Sequence, residues 1–256
     1  MKNYKYLLFD LDDTLIDNFE NTKHAFKVTL DYMGIEYSDE IFSEWLAHEK
    51  KFWHLRERQG SELQVPDEYK KSVDTMVQWV RSQRFILFFN DIIDLNKAME
   101  LNDVYLNAMN EKVVPIKNAF DVMKKLYGKY NIFVATNGPS IATKGKLSKI
   151  GCLDFVDDIF SADMFGVMKP SEKYFAEIKQ RTGEPNSEKY LVIGDSLTTD
   201  VEGAINSGMD SCWFNLKNEQ SSNLNLKPTY EICELNELLK ILNTRNRCRE
   251  QPCKSY

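Results

Sequence analysis

Four apolar residues, Tyr6-Leu7-Leu8-Phe9, run straight into the polar stretch Asp10 to Thr14, and this boundary predicts a buried strand over 5–9. The residues that follow carry almost no strand signal and repeated helix punctuation. Asp17 or Asn18 suits the cap of a helix that Gly34 ends, and Ser38 suits the cap of a second carrying Ile41, Phe42, Trp45, Leu46, Phe52 and Trp53 toward Gly60. Pro66 fits the first turn of a third, and Asp91 or Asp94 the start of a fourth that runs to Lys112.

Beyond Pro115 the pattern becomes an alternation. Helices are expected at 117–127, 140–150, 171–182, 200–207 and 234–243, with strands at 131–136, 158–162, 190–194 and 211–214. Alternating βα units imply an α/β fold with a mainly parallel sheet flanked by helices. The expected division is a core of 1–17 and 113–243, an all-helical unit of 18–112 inserted after the first strand, and a loose basic tail over 244–256.

The strand ends carry the chemistry. Ligands of open α/β sheets sit at the carboxyl ends of their strands, and here Phe9 is followed by Asp10, with Asp12 two residues on and able to face the same side of extended chain. The second strand runs into Thr136-Asn137-Gly138, a hydroxyl beside freed backbone N–H groups that suits an anionic oxygen. Lys169 precedes Pro170 and is thereby held extended. Tyr190 to Gly194 deliver Asp195, and Asp200 follows either as a further site carboxylate or as a helix cap.

Carboxylates about 4 Å apart repel by roughly 4 kcal/mol at an effective dielectric near 20, so the cluster needs cations. Hard oxygen donors suit Mg²⁺ shared with a substrate phosphate, and Lys169 adds a fixed charge. A carboxylate nucleophile beside a second carboxyl, a divalent cation, a lysine and a hydroxyl fits phosphoryl transfer through an aspartyl-phosphate. Asp10 is the expected nucleophile and Asp12 the acid/base, with Thr136, Asn137 and Lys169 around the phosphate and Thr14 and Asp200 in support.

Composition narrows the partners. The chain has 256 residues and a net charge of −6, which argues against a stable nucleic-acid partner, since such surfaces are basic, and leaves a small phosphorylated metabolite as the expected ligand. No signal-peptide pattern or apolar run of spanning length is present, so no membrane association and a cytoplasmic location are expected. Cys152, Cys212, Cys233, Cys248 and Cys253 show no CxxC spacing and are expected to be reduced thiols. Oligomeric state is not legible.

The ordered set Asp10-x-Asp12-x-Thr14, Thr136-Asn137, Lys169-Pro170 and Gly194-Asp195 with Asp200 resembles the four motifs of the haloacid dehalogenase (HAD) superfamily phosphatases. The resemblance implies a Rossmann-like core, a helical cap inserted after the first motif, and Mg²⁺ held by Asp10, the backbone carbonyl of Asp12, and Asp195. Asp12 favours a phosphatase over a dehalogenase. Gly203 to Asn215, and Pro228-Thr229-Tyr230 ahead of a leucine-bearing helix, resemble pyrimidine 5′-nucleotidases of the YjjG/YfnB type. That implies nucleoside monophosphates as substrates, including non-standard pyrimidine ones. The competing expectations are another small ester such as a sugar phosphate, or a phosphate- or partner-binding protein without turnover. Trp45, His48 and Phe52 fall at i, i+3 and i+7 on one helix face, placed either to stack on a base and select the substrate or to form the inserted unit's own core.

Overall fold

A computed structural model of the chain describes residues 2–59, 65–90, 92–219 and 226–242. Gly60, Asp91, Cys248, Cys253 and the tail over 244–256 lie outside the described residues.

Six strands form one all-parallel sheet: β1 (Tyr6–Phe9), β2 (Asn131–Thr136), β3 (Asp158–Ser161), β4 (Tyr190–Gly194), β5 (Asp210–Phe214) and β6 (Tyr230–Ile232), in the order β3-β2-β1-β4-β5-β6. The order reverses between β1 and β4, and such a switch point opens a crevice at the carboxyl ends of the two strands. Both faces of the sheet are buried, which is why its inner strands read as unbroken apolar runs rather than alternating ones. Leu7, Phe9, Ile132, Val134, Leu191 and Ile193 face one core with α5 (Ala119–Leu126) and α6 (Ser140–Lys149). Tyr6, Leu8, Phe133, Ala135, Tyr190 and Val192 face the other, against α8 (Glu172–Thr182) and α9 (Glu202–Asn206). A short helix, α7 (Ala162–Phe165), follows β3, and α10 (Leu238–Leu242) closes the described chain.

Between β1 and α5 lie four further α-helices: α1 (Asn18–Met33), α2 (Asp39–Gln59), α3 (Val73–Phe88) and α4 (Leu95–Glu111). They enclose a core of their own around Phe26, Trp45, Phe85, Leu101 and Tyr105. The chain enters and leaves this unit side by side. Asp17 N donates to Val114 O at 2.8 Å, and Ile116 N to Leu15 O at 2.9 Å.

Asp17 caps α1 by accepting from Glu20 N, and Gly34 ends it at φ +70°, a conformation glycine adopts without Cβ strain. Three expectations need correction. The third helix does not start at Pro66, which precedes a single 3₁₀ turn (Asp67–Tyr69); Ser72 and Thr75 form a capping box, and α3 begins there. Asp200 is not a helix cap. Ser196 caps the next segment, a π turn (Leu197–Val201), and α9 begins only after it. The last helix is a 3₁₀ turn (Leu235–Glu237) followed by α10, preceded by the unforeseen edge strand β6. No helix among the described residues is long and apolar enough to cross a membrane.

Candidate active site

Strand register gathers the motifs. Phe9 is aligned with both Val134 and Ile193, so Asp10, Thr136 and Asp195 leave neighbouring strands at nearly the same level. Asp10 N donates to Ile193 O at 2.8 Å, fixing the turn at the end of β1.

Lys169 Nζ lies 2.8 Å from Asp10 Oδ1 and 2.5 Å from Asp200 Oδ1, with only 2% of its side chain exposed. The peptide that follows it, Lys169–Pro170, is cis, and its backbone is clamped by one side chain. Asn137 Oδ1 accepts from Lys169 N at 2.8 Å and Asn137 Nδ2 donates to Lys169 O at 3.1 Å. The Asn137 amide is thus spent on positioning the lysine. Thr136 Oγ1 accepts from Gly138 N at 3.0 Å, at the turn where an anion would meet both groups.

Asp195 is fixed through its backbone. Asp195 N donates to Thr14 Oγ1 at 3.1 Å, and Trp213 Nε1 donates to Asp195 O at 2.8 Å. Thr14 is fully buried and ties the first motif to the fourth. Ser196 N donates to Asp200 Oδ2 at 3.2 Å, so Asp200 is held from both ends. Gly194 makes room for it. A Cβ there would stand 2.2 Å from Asp200 Cγ. Gly194→Ala is therefore expected to expel the Asp200 carboxylate from Lys169 and to destabilise the fold by about 1–3 kcal/mol. Calorimetry checks this, and an unshifted melting temperature would place Asp200 elsewhere.

Asp10, Asp195 and Asp200 each offer a carboxylate oxygen within 4.8 Å of the others. Three carboxylates and one ammonium leave a formal charge of −2, which burial makes costly. Burial, partly offset by Lys169 and reinforced by Asp200, raises the Asp10 carboxyl to about 7. Burial and the charges of Asp10 and Asp200 push Asp195 well above the usual carboxylate range. Lys169 keeps its charge: burial disfavours the ammonium, but Asp10 and Asp200 more than compensate and raise its pKa. The donor set, hard oxygens with a residual double negative charge, fits a divalent cation.

Asp12 turns to a lysine that lies outside the sequence motifs. Lys146 Nζ, on α6, lies 2.8 Å from Asp12 Oδ1, with 10% of its side chain exposed. Asp13 turns away from this pair in a left-handed conformation (φ +59°) and accepts from Asn18 N at 3.0 Å; burial first, then Asp12, raises its carboxyl to about 6.

The aromatic trio sits inside the inserted unit. Trp45 has no exposed surface and stacks on Phe26 and Phe85. Phe52 is buried with Trp79 and Val80. His48, between them, donates from Nε2 to Arg84 O at 2.8 Å, and burial lowers its pKa. The ring faces of Trp45 are therefore taken by protein. A cleft of about 260 Å³ lies instead between α3 and α4 and the segment after Gly138, lined by Gln78, Arg81, Asn102, Asp103, Pro139 and Asp163.

A protein-family model described as haloacid dehalogenase-like hydrolase matches residues 4–208. The chain belongs to this family. Among its relatives, the putative HAD-hydrolase YfnB of Bacillus subtilis is 30% identical over 247 residues, covering 96% of this chain and 98% of YfnB. The pyrimidine 5′-nucleotidase YjjG of Escherichia coli is 27% identical over 242 residues, covering 93% and 98%. A crystal structure of B. subtilis YfnB bound to magnesium superimposes with a TM-score of 0.81 at 28% identity, covering 94% of this hydrolase and all of that chain. The near-complete coverage of both partners includes the inserted helices, so the likeness is not confined to the sheet.

Proposed function

We propose that this HAD-like hydrolase is a Mg²⁺-dependent phosphomonoesterase that works through an aspartyl-phosphate on Asp10, and that its substrates are pyrimidine nucleoside 5′-monophosphates. The observation that carries the reading is Lys169 bridging Asp10 and Asp200 at 2.8 and 2.5 Å, with the Asp195 carboxylate alongside. Asp10 attacks phosphorus, and the leaving oxygen takes a proton from Asp12. Asp12 then takes a proton from the water that hydrolyses the intermediate. Lys169 and the Thr136 turn face the phosphoryl oxygens, where charge is spread in the transition state. Asp10, the Asp12 carbonyl and Asp195 would hold Mg²⁺, whose chemistry is to neutralise charge on the nucleophile and the phosphoryl group.

The helices 18–112 act as the cap domain in this proposal, and 1–17 with 113–243 as the catalytic core. Trp45, His48 and Phe52 belong to the cap's own packing in this reading, and the leaving group occupies the cleft beside Pro139, which Gln78, Asn102 and Asp103 line from the cap side. The pyrimidine preference is supported by the likeness to YjjG over nearly the whole of both chains.

The test is a panel of uridine, thymidine and adenosine monophosphates, ribose 5-phosphate and glycerol 3-phosphate assayed with Mg²⁺. Pyrimidine esters are expected to lead by about tenfold in kcat/KM, an advantage of about 1.4 kcal/mol. Turnover confined to sugar phosphates would refute the substrate class. Chelation is expected to abolish activity, and saturating Mg²⁺ to stabilise the fold by about 2.7 kcal/mol at a hundredfold excess over Kd. A melting temperature that ignores Mg²⁺ would remove the metal from the site.

A further inference from the structure

Lys146 belongs to none of the four motifs, yet it is 8% exposed and aims its ammonium at the proposed acid/base. A buried lysine without a partner would be costly, and this one spends its charge on a single oxygen, Asp12 Oδ1, at 2.8 Å. The other oxygen faces the phosphate turn. A Cβ built on Gly138 would lie 4.0 Å from Asp12 Oδ2 and 3.3 Å from Thr136 Oγ1. The two oxygens of Asp12 are therefore unequal: one is engaged by α6, and the other looks toward the place where the ester is expected.

We infer that Lys146 is a positioning residue that fixes which oxygen of Asp12 carries the proton to the leaving group. The inference rests on the phosphatase reading above. An ammonium only donates, so Oδ1 is spent as its acceptor, and Oδ2, on the side of the phosphate turn, is left to exchange the proton with the ester. In the first step the bond between phosphorus and the ester oxygen breaks as Asp10 bonds to phosphorus, and the Oδ2 proton passes to the departing oxygen. In the second, water bonds to phosphorus, the bond to Asp10 breaks, and the water proton returns to Oδ2. Lys146 keeps its protons throughout. Because α6 starts directly after the Thr136-Asn137-Gly138 turn, the lysine also ties the acid/base to the element that receives the phosphate.

An alkyl leaving oxygen needs a proton in the transition state, whereas a nitrophenolate leaves without one. Lys146→Met keeps the aliphatic stem and removes the donor. The variant is expected to lose about 30-fold or more in kcat/KM on uridine 5′-monophosphate, within the range of general acid catalysis, and less than about threefold on p-nitrophenyl phosphate. Lys146→Arg is expected to recover most of the uridine 5′-monophosphate activity. Equal losses on the two esters would mean that Lys146 only supports the fold, and no loss on either would mean that it does nothing for Asp12; both overturn the assignment. Wild-type protein inactive on both esters would instead overturn the phosphatase reading and this inference with it.

Discussion

Asp10→Asn is expected to lower turnover by at least about 10⁴-fold, the equivalent of some 5.5 kcal/mol of transition-state stabilisation, while leaving the far-UV circular dichroism unchanged. An amide in place of the carboxylate cannot form the acyl phosphate, and no neighbouring group replaces it: Asp12 is held by Lys146, and Asp200 is shut behind Lys169 and Ser196. Stability is expected to move in the opposite direction. Without metal, burial together with Asp200 and Asp12 outweighs Lys169 and raises the Asp10 carboxyl from 3.8 to about 7. The folded protein then binds more protons at Asp10 than the unfolded chain between these values, so stability falls as pH rises through that window. Asn abolishes the penalty. Metal-free Asp10→Asn should therefore melt above metal-free wild type at about pH 8, and the two should converge as pH falls toward about 4. Paired thermal melts across that range decide it, together with a steady-state assay. An active Asp10→Asn protein would remove the nucleophile assignment, and a variant no more stable at high pH would remove the electrostatic one.

The groups proposed to react are legible because strand ends are legible. The apolar runs ending at Phe9, Thr136 and Gly194 place Asp10, Thr136 and Asp195 side by side once the strands are parallel and in register. Asp200 was ambiguous for a physical reason. Carboxylates cap helices, and only the π turn over Leu197–Val201, capped by Ser196, turns Asp200 inward to Lys169. Gly194 carried a clue, since a glycine directly before the aspartate leaves room that Asp200 fills. Lys146 carried none: Lys144, Lys146 and Lys149 look alike along one helix, and the choice among them depends on where α6 packs against Asp12. Trp45, His48 and Phe52 share a helix face, but helical spacing says nothing about whether such a face meets a ligand or other helices. The rings that cover Trp45, Phe26 and Phe85, come from elsewhere in the chain.

Lys169→Met is expected to damage folding and chemistry together. Its ammonium is the counter-charge shared by Asp10 and Asp200 in a place where only 2% of the lysine side chain is exposed. Removing one partner from a buried ion pair costs about 3–5 kcal/mol, which in a protein of this size corresponds to a melting temperature lower by on the order of 10 °C. The loss should shrink when Asp200→Asn is added, because one of the stranded carboxylates disappears without changing the shape that fills the space beside Gly194. A double-mutant cycle measures that coupling. Additive losses, or a Lys169→Met protein as stable as wild type, would mean that the ammonium does not carry the cluster. Turnover should fall by about 10³-fold in Lys169→Met and stay low in the double variant, since the chemistry needs the charge and the fold needs only balance. The ammonium has three N–H groups, and Asp10 and Asp200 take two. The third is the one that the proposed mechanism directs at the phosphoryl group, so restoring the balance with Asp200→Asn rescues the melting temperature and not the rate.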